Sequence, residues 1–100
     1  MDDAYSICTF NSVTKFIHSL PDKERLKIAA AIRTLSRNNF ISLHVKTLRG
    51  PMKELIVKKR RIIFFTKENT IYFIRAFTKR TAKTPKREIE YAEEIVKKIQ

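Results

Sequence analysis

Glycine is almost missing from this chain: Gly50 is the only one in 100 residues. A loop that cradles phosphate on backbone N–H groups needs several, so phosphate-loop and dinucleotide-binding motifs are excluded. Cysteine is equally scarce. Lone Cys8 offers neither a disulfide nor a zinc set, and a small structural cysteine is the ordinary reading of such a residue. The two histidines, His18 and His44, have no partner histidine or carboxylate at ligand spacing, so no metal is expected. Acids number ten against 22 Lys and Arg, and the paired carboxylates of glycoside hydrolysis are missing from the basic middle. No apolar run approaches the roughly 20 residues that span a bilayer. Met1-Asp2-Asp3 lacks the basic and long-apolar pattern of a secretory signal, which points to the cytoplasm. With no repeat, low-complexity stretch or flexible linker, a single domain over residues 1–100 is expected, close to the size at which one core becomes self-sufficient.

What the chain does have is positive charge in one place. Residues 43–87 carry fourteen Lys and Arg against two acids, Glu54 and Glu68, an excess equal to the net charge of +12 of the whole molecule. Residues 1–42 hold six bases against four acids and residues 88–100 two against four, so both flanks are near neutrality. Concentrated self-repulsion needs a compensating partner, and nucleic acid, whose phosphates release counterions for each cation received, is the commonest. An anionic membrane surface or an acidic protein is the other possibility.

Hydrophobic periodicity divides the chain into elements. Tyr5 to Phe10 reads as a short strand. Asn11-Ser12 offers capping oxygens to a helix striped by Val13, Phe16, Ile17 and Leu20. Pro21-Asp22 opens a second helix along Ile28, Ala29, Ile32 and Leu35, stopped at Asn38-Asn39, so the two form a helical hairpin. Leu43–Leu48, Met52–Lys58, Arg61–Thr66 and Thr70–Thr78 are β-branched or aromatic segments separated by turn residues, which predicts a four-stranded meander. Strict alternation in the last strand sets Ile71, Phe73, Arg75, Phe77 and Lys79 on one face, with Tyr72, Ile74, Ala76 and Thr78 on a face suited to packing on the helices. Thr84-Pro85 predicts a helix capped by the threonine hydroxyl, with Glu88 in its first turn. A stripe of Ile89, Ala92, Val96 and Ile99 and pairs Glu93–Lys97 and Glu94–Lys98 follow.

Within the basic middle, Phe77 to Arg87 puts five bases among three threonines where a strand ends and a helix begins, a combination suited to phosphate. An ordinary solvated loop has the same composition. Lys58 and Lys59 lie in a hairpin turn, where a charge run is ordinarily a wet tip. Arg61 and Arg75 carry more information, because each interrupts an apolar strand and an arginine there is costly unless an anion needs it.

His44-Val45-Lys46-Thr47-Leu48-Arg49-Gly50, Glu54-Leu55, Arg61-Ile62-Ile63-Phe64-Phe65 and above all Phe77-Thr78-Lys79-Arg80-Thr81-Ala82-Lys83-Thr84-Pro85, followed by Glu88-Ile89-Glu90, resemble the RelE/HigB superfamily of toxins, specifically its phage-derived HigB-like branch. The resemblance runs from about Asn11 to Ile99. It implies an α+β fold, an N-terminal strand and helical hairpin packed on a curved, mainly antiparallel sheet with a C-terminal helix. It also implies ribosome-dependent cleavage of messenger RNA and a neutralising antitoxin, HigA-like with a helix-turn-helix domain. The chain departs from the pattern in two places. Lys53-Glu54-Leu55-Ile56 stands where the family usually reads Trp/Tyr-Glu-Leu-Arg, and Arg75 stands where the branch commonly has histidine.

Such cleavage uses the RNA's own 2′-hydroxyl as nucleophile, so the protein supplies in-line geometry, a base, charge stabilisation and an acid, with no metal or small-molecule cofactor. The fork of an arginine suits the charge growing on phosphate oxygens but cannot act as a base, so Arg61 and Arg75 take the first role. Crowding by like charge disfavours the ammonium form of a lysine, and Lys79 or Lys46 is the candidate base. His44, Tyr91 or another lysine is the candidate acid, while Arg49, Lys53, Arg80, Lys83 and Lys86 would hold phosphates of messenger or ribosomal RNA. A site so poor in ordinary acid/base groups depends on the ribosome to set substrate geometry. A ParE-like inhibitor of gyrase without nuclease activity, and an inactive basic RNA-binding protein, are the competing readings.

Overall fold

A computed structural model describes residues 4–100; Met1, Asp2 and Asp3, on which the reading of the N-terminus rested, lie outside the described residues. The chain runs β1 (Ser6–Thr9), α1 (Asn11–His18), α2 (Asp22–Ser36), β2 (His44–Arg49), β3 (Met52–Val57), β4 (Arg60–Lys67), β5 (Thr70–Thr78) and α3 (Lys86–Ile99). One five-stranded sheet of order β1-β5-β4-β3-β2 organises it. β2 to β5 form the expected antiparallel meander, and β1 lies parallel to β5. The fold is therefore α+β with a mixed sheet. Among the described residues no helix is long and apolar enough to cross a membrane.

The meander turns need residues that tolerate a left-handed backbone. Gly50 (φ 54°), Lys58 (φ 57°) and the pair Glu68 and Asn69 (φ 48° and 65°) supply them, the last as a two-residue hairpin loop with both φ positive. Asn38 (φ 60°) stops α2 in the same conformation.

Each face of the sheet holds its own core. On one face the helical hairpin packs Val13, Leu20, Ile28, Ala31 and Leu35 against Leu55, Ile62, Phe64, Ile71 and Phe73. On the other, Ala92 and Val96 of α3 close over Met52, Ile63, Phe65, Ile74 and Phe77. Neighbours in β4 alternate between the two cores, so Phe64 serves the hairpin and Phe65 serves α3.

Several local expectations are corrected. In β5 the register slips between Ile63 and Phe64 of its partner: Ile63 faces Arg75 and Phe64 faces Phe73, which leaves Ile74 as an extra residue. The bulge breaks strict alternation. Ile71, Phe73 and Ala76 pack with the hairpin, whereas Tyr72, Ile74 and Phe77 pack with α3. In α2 the buried alanine is Ala31, and Ala29 is exposed. Neither Asn11 nor Thr84 caps a helix: α1 and α3 are preceded by Phe10 and Pro85 at the cap position, with no side-chain cap bond. Within α3 the ion pairs among the described residues are Lys86–Glu90 (3.9 Å) and Glu94–Lys97 (3.7 Å), and Glu93 reaches instead to Arg49 at 3.1 Å.

Candidate functional site

Helix α3 covers only part of its face of the sheet. The strand register continues that face beyond the helix: Lys46 lies across from Glu54, Glu54 across from Ile63, and Ile56 between His44 and Arg61. Lys46 and His44 are exposed, Ile56 and Arg61 are half-buried, and Glu54 is completely buried. The bulge at Ile74 brings Arg75 onto the same face, across from Ile63. Arg61, Ile63 and Phe65, at alternate positions of β4, therefore share their face with Arg75.

Two buried polar atoms on this surface lack partners among the described residues. Glu54 accepts the Thr84 hydroxyl on Oε2 at 2.9 Å, but its Oε1 has no hydrogen bond. Arg61 donates through Nη1 to the carbonyls of Lys58 and Arg60, the latter at 3.0 Å, and its Nε is buried without an acceptor. Buried polar atoms are ordinarily satisfied, since an orphan costs roughly 1–3 kcal/mol. An orphaned acceptor and an orphaned donor on adjacent strands of one face mark a place where the fold gives up stability.

The other predicted residues occupy varied surroundings. Arg75 donates from Nε to Glu88 Oε1 at 2.5 Å, and its guanidinium lies 4.4 Å above the centre of the Tyr91 ring. That hydrogen bond, more than the Glu88 charge, holds the Arg75 guanidinium even further above its ordinary range, so it stays a cation. Arg75 thus clamps β5 to the first turns of α3, and Tyr91, half exposed, sits beneath it. Lys79 follows β5, its N–H donating to the Lys59 carbonyl at 2.8 Å, and lines a cleft of about 570 Å³ with Lys59, Arg60, Thr78 and Arg80. Arg80, Lys83 and Lys86 are exposed along the segment that leads into α3. Arg49 is engaged by Glu93. Lys53 pairs across to Thr47 and Phe64 on the hairpin side, so the structure separates it from Arg61 and Glu54.

A crowding neighbour loosens the proton of Lys27, whose hydrogen-bonding contact with Lys58 pushes its ammonium below the ordinary lysine range. It lies on the opposite side of the sheet, beside the start of α2.

Three roles escaped the sequence reading. Glu54 is the buried acid beneath the site, Thr84 ties the basic segment to β3, and Glu88 is the counter-charge of Arg75. Glu54 left a signal, being a lone acid between Met52 and Ile56 at alternate strand positions. Thr84 left none, because its bond spans thirty positions. Among the described residues no group of His, Cys, Asp and Glu has the arrangement of a metal site.

The family of phage-derived Gp49-like proteins matches residues 15–97. No curated protein matches. Solved structures with the same architecture include a chain of the archaeal RelE–RelB complex of Pyrococcus horikoshii, at 16% identity and TM-score 0.69, covering 79% of this chain and 99% of that one. A chain of the toxin–antitoxin complex RelBE2 of Mycobacterium tuberculosis is 17% identical with TM-score 0.62, over 76% and 99% of the two chains. A chain of the RelB–RelE antitoxin–toxin complex of Methanococcus jannaschii is 20% identical with TM-score 0.61, over 70% and 87%. With a match running from within α1 through α2 and β2 to β5 into α3, the chain belongs to the phage-derived Gp49-like family, and its fold is that of the RelE toxins.

Proposed function

We propose that this protein is the toxin of a toxin–antitoxin pair and cuts messenger RNA on the ribosome, in the cytoplasm, without a metal. The observation that carries the reading is the uncovered part of the α3 face, where Lys46, Glu54 and Arg61 stand on three adjacent strands with buried polar valences unfilled. In the proposed reaction the RNA 2′-oxygen forms a bond to the adjacent phosphorus as the bond to the 5′-oxygen breaks, leaving a 2′,3′-cyclic phosphate and a 5′-hydroxyl. The Arg61 guanidinium, oriented by two backbone carbonyls, meets the charge on the phosphorane oxygens. Lys46 and Lys79 are bases for the 2′-hydroxyl, and Glu54 joins them because its Oε1 is an acceptor without a partner. His44 or Tyr91 returns a proton to the leaving oxygen. Arg75, held by Glu88 and stacked on Tyr91, positions Tyr91 and the start of α3. Arg80, Lys83 and Lys86 hold flanking phosphates.

The partners that follow are the ribosome with its messenger and an antitoxin, HigA-like in the reading above. That structural neighbours are complexes of RelE with RelB supports a dedicated antitoxin. The test is to induce the chain in a bacterial host and map new messenger 5′ ends, with Arg61→Ala and Lys79→Ala alongside. Cuts in translated regions that vanish in both variants, and when translation is stopped beforehand, are the expected result. Growth arrest with intact messenger and broken DNA would transfer the protein to the gyrase inhibitors, and harmless overexpression to the inactive RNA binders.

A further inference from the structure

A second cationic surface lies away from the Arg61 face. A cleft of about 460 Å³ between the start of α2 and the β3–β4 turn is lined by Lys23, Lys27, Lys58 and Lys59, with Arg60 and Glu24 at its wall. Lys59 and Arg60 are also walls of the 570 Å³ cleft that contains Lys79 and Arg80, so the two run into one another around the end of the sheet. The groove has one acid in its lining, Glu24, and Glu24 is taken by Arg60 at 2.7 Å. The remaining cations have no acid in the lining to answer them. Lys27 and Lys58 crowd one another, and that contact pushes the Lys27 ammonium below the ordinary lysine range.

We infer that the α2 side of this groove, around Lys23, Lys27, Lys58 and Lys59, grips the phosphate backbone of double-helical RNA, as a contact that adjoins the reaction site at Lys79 and is independent of sequence. Three features select that ligand. Lysines brought together against their own repulsion are relieved by a polyanion that presents several phosphates at once. Neither cleft has an aromatic residue in its lining, so the stacking platforms by which proteins hold single strands are missing, and recognition through backbone and shape is what the groove offers. Apolar anchors of the kind a protein partner or a membrane uses are limited to Pro21. The contact rests on the proposed function only for the choice of RNA as polyanion. It gives the molecule a hold on structured RNA that persists while messenger enters and leaves the Arg61 face.

The test measures binding of the full chain to a labelled 20-base-pair RNA duplex of arbitrary sequence across a potassium chloride series. Lys27→Gln/Lys58→Gln is compared with Lys97→Gln/Lys98→Gln, which removes the same charge from the exposed end of α3. The groove variant is expected to bind roughly tenfold more weakly and to flatten the plot of log K against log salt by about 1 to 2. The control is expected to keep the wild-type slope. A second pair, Lys23→Gln/Lys59→Gln, repeats the comparison should the first misfold. Equal slopes in groove and control variants overturn the inference. So does a loss confined to a single-stranded RNA of the same length, or to phosphatidylglycerol vesicles, with duplex binding unchanged. Groove-dependent duplex binding by a wild-type chain that cuts no messenger would instead count against the proposed reaction alone, leaving the groove standing.

Discussion

Glu54 is where stability and chemistry are most opposed at the level of single residues. Its carboxylate is fully buried with one hydrogen bond, a costly state for a charge. Glu54→Gln keeps an oxygen for the Thr84 hydroxyl and removes that cost. The expected outcome is a urea-unfolding stability unchanged or raised by about 1 kcal/mol, with messenger cleavage on purified ribosomes lowered by about 10²-fold. Cleavage at the wild-type rate would limit Glu54 to holding the basic segment and return the base to Lys46 or Lys79. Glu24 makes a pH prediction. Its hydrogen bond to Arg60 holds its carboxyl below the ordinary range. A depressed folded-state value means the bridge contributes fully above the ordinary carboxylate pKa and is lost as pH falls through the lowered one. Melting curves of wild type and Glu24→Gln should therefore differ near neutrality and converge in acid; a constant gap would rule out the bridge. Arginines inside apolar strands were informative in the sequence because burial makes them costly, whereas which of them already had a counter-charge was not. Arg75 has Glu88 and Arg61 has backbone carbonyls, pairings made only by folding.

Among the elements, α3 is the one that borders the candidate site and is tied to the strands beside it. Its apolar stripe was legible because helical spacing repeats locally, but its two polar ties, Arg75 to Glu88 and Arg49 to Glu93, reach back to strands. Arg75→Ala leaves Glu88 buried without its cation. Because the Arg75 side chain is about a third exposed (31%), the expected loss is about 1–3 kcal/mol, below that of a fully buried pair. Adding Glu88→Gln should recover much of it. Urea unfolding of the two variants and of the pair checks this, and faster hydrogen exchange confined to α3 in Arg75→Ala would locate the effect. Failure of Glu88→Gln to restore any stability would mean that Arg75 acts through its stacking on Tyr91. The bulge at Ile74 was hidden for a comparable reason: Ile71 to Phe77 reads as an unbroken alternating strand, and only pairing with β4 reveals the extra residue.

For the whole molecule, one sheet is shared by two thin cores, so neither should survive without the other. Phe64→Ala empties the hairpin core and Phe65→Ala the α3 core, each at about 3–5 kcal/mol. Both variants are expected to unfold in one transition, coincident by far-ultraviolet circular dichroism and by tyrosine fluorescence; separated transitions would show that α3 melts alone. The order of elements, the hairpin, the meander and the concentration of charge in residues 43–87 were determined by the sequence itself. Each depends on periodicity, turn chemistry or composition, which neighbouring residues express whatever the rest of the chain does. Tertiary structure alone decided which cations share a surface: that Lys53 lies on the hairpin side while Lys46, Glu54, Arg61 and Arg75 meet on the other, and that Thr84 spends its hydroxyl on β3. Those facts turn on cross-strand register, one bulge and contacts between distant residues, none of which local spacing encodes.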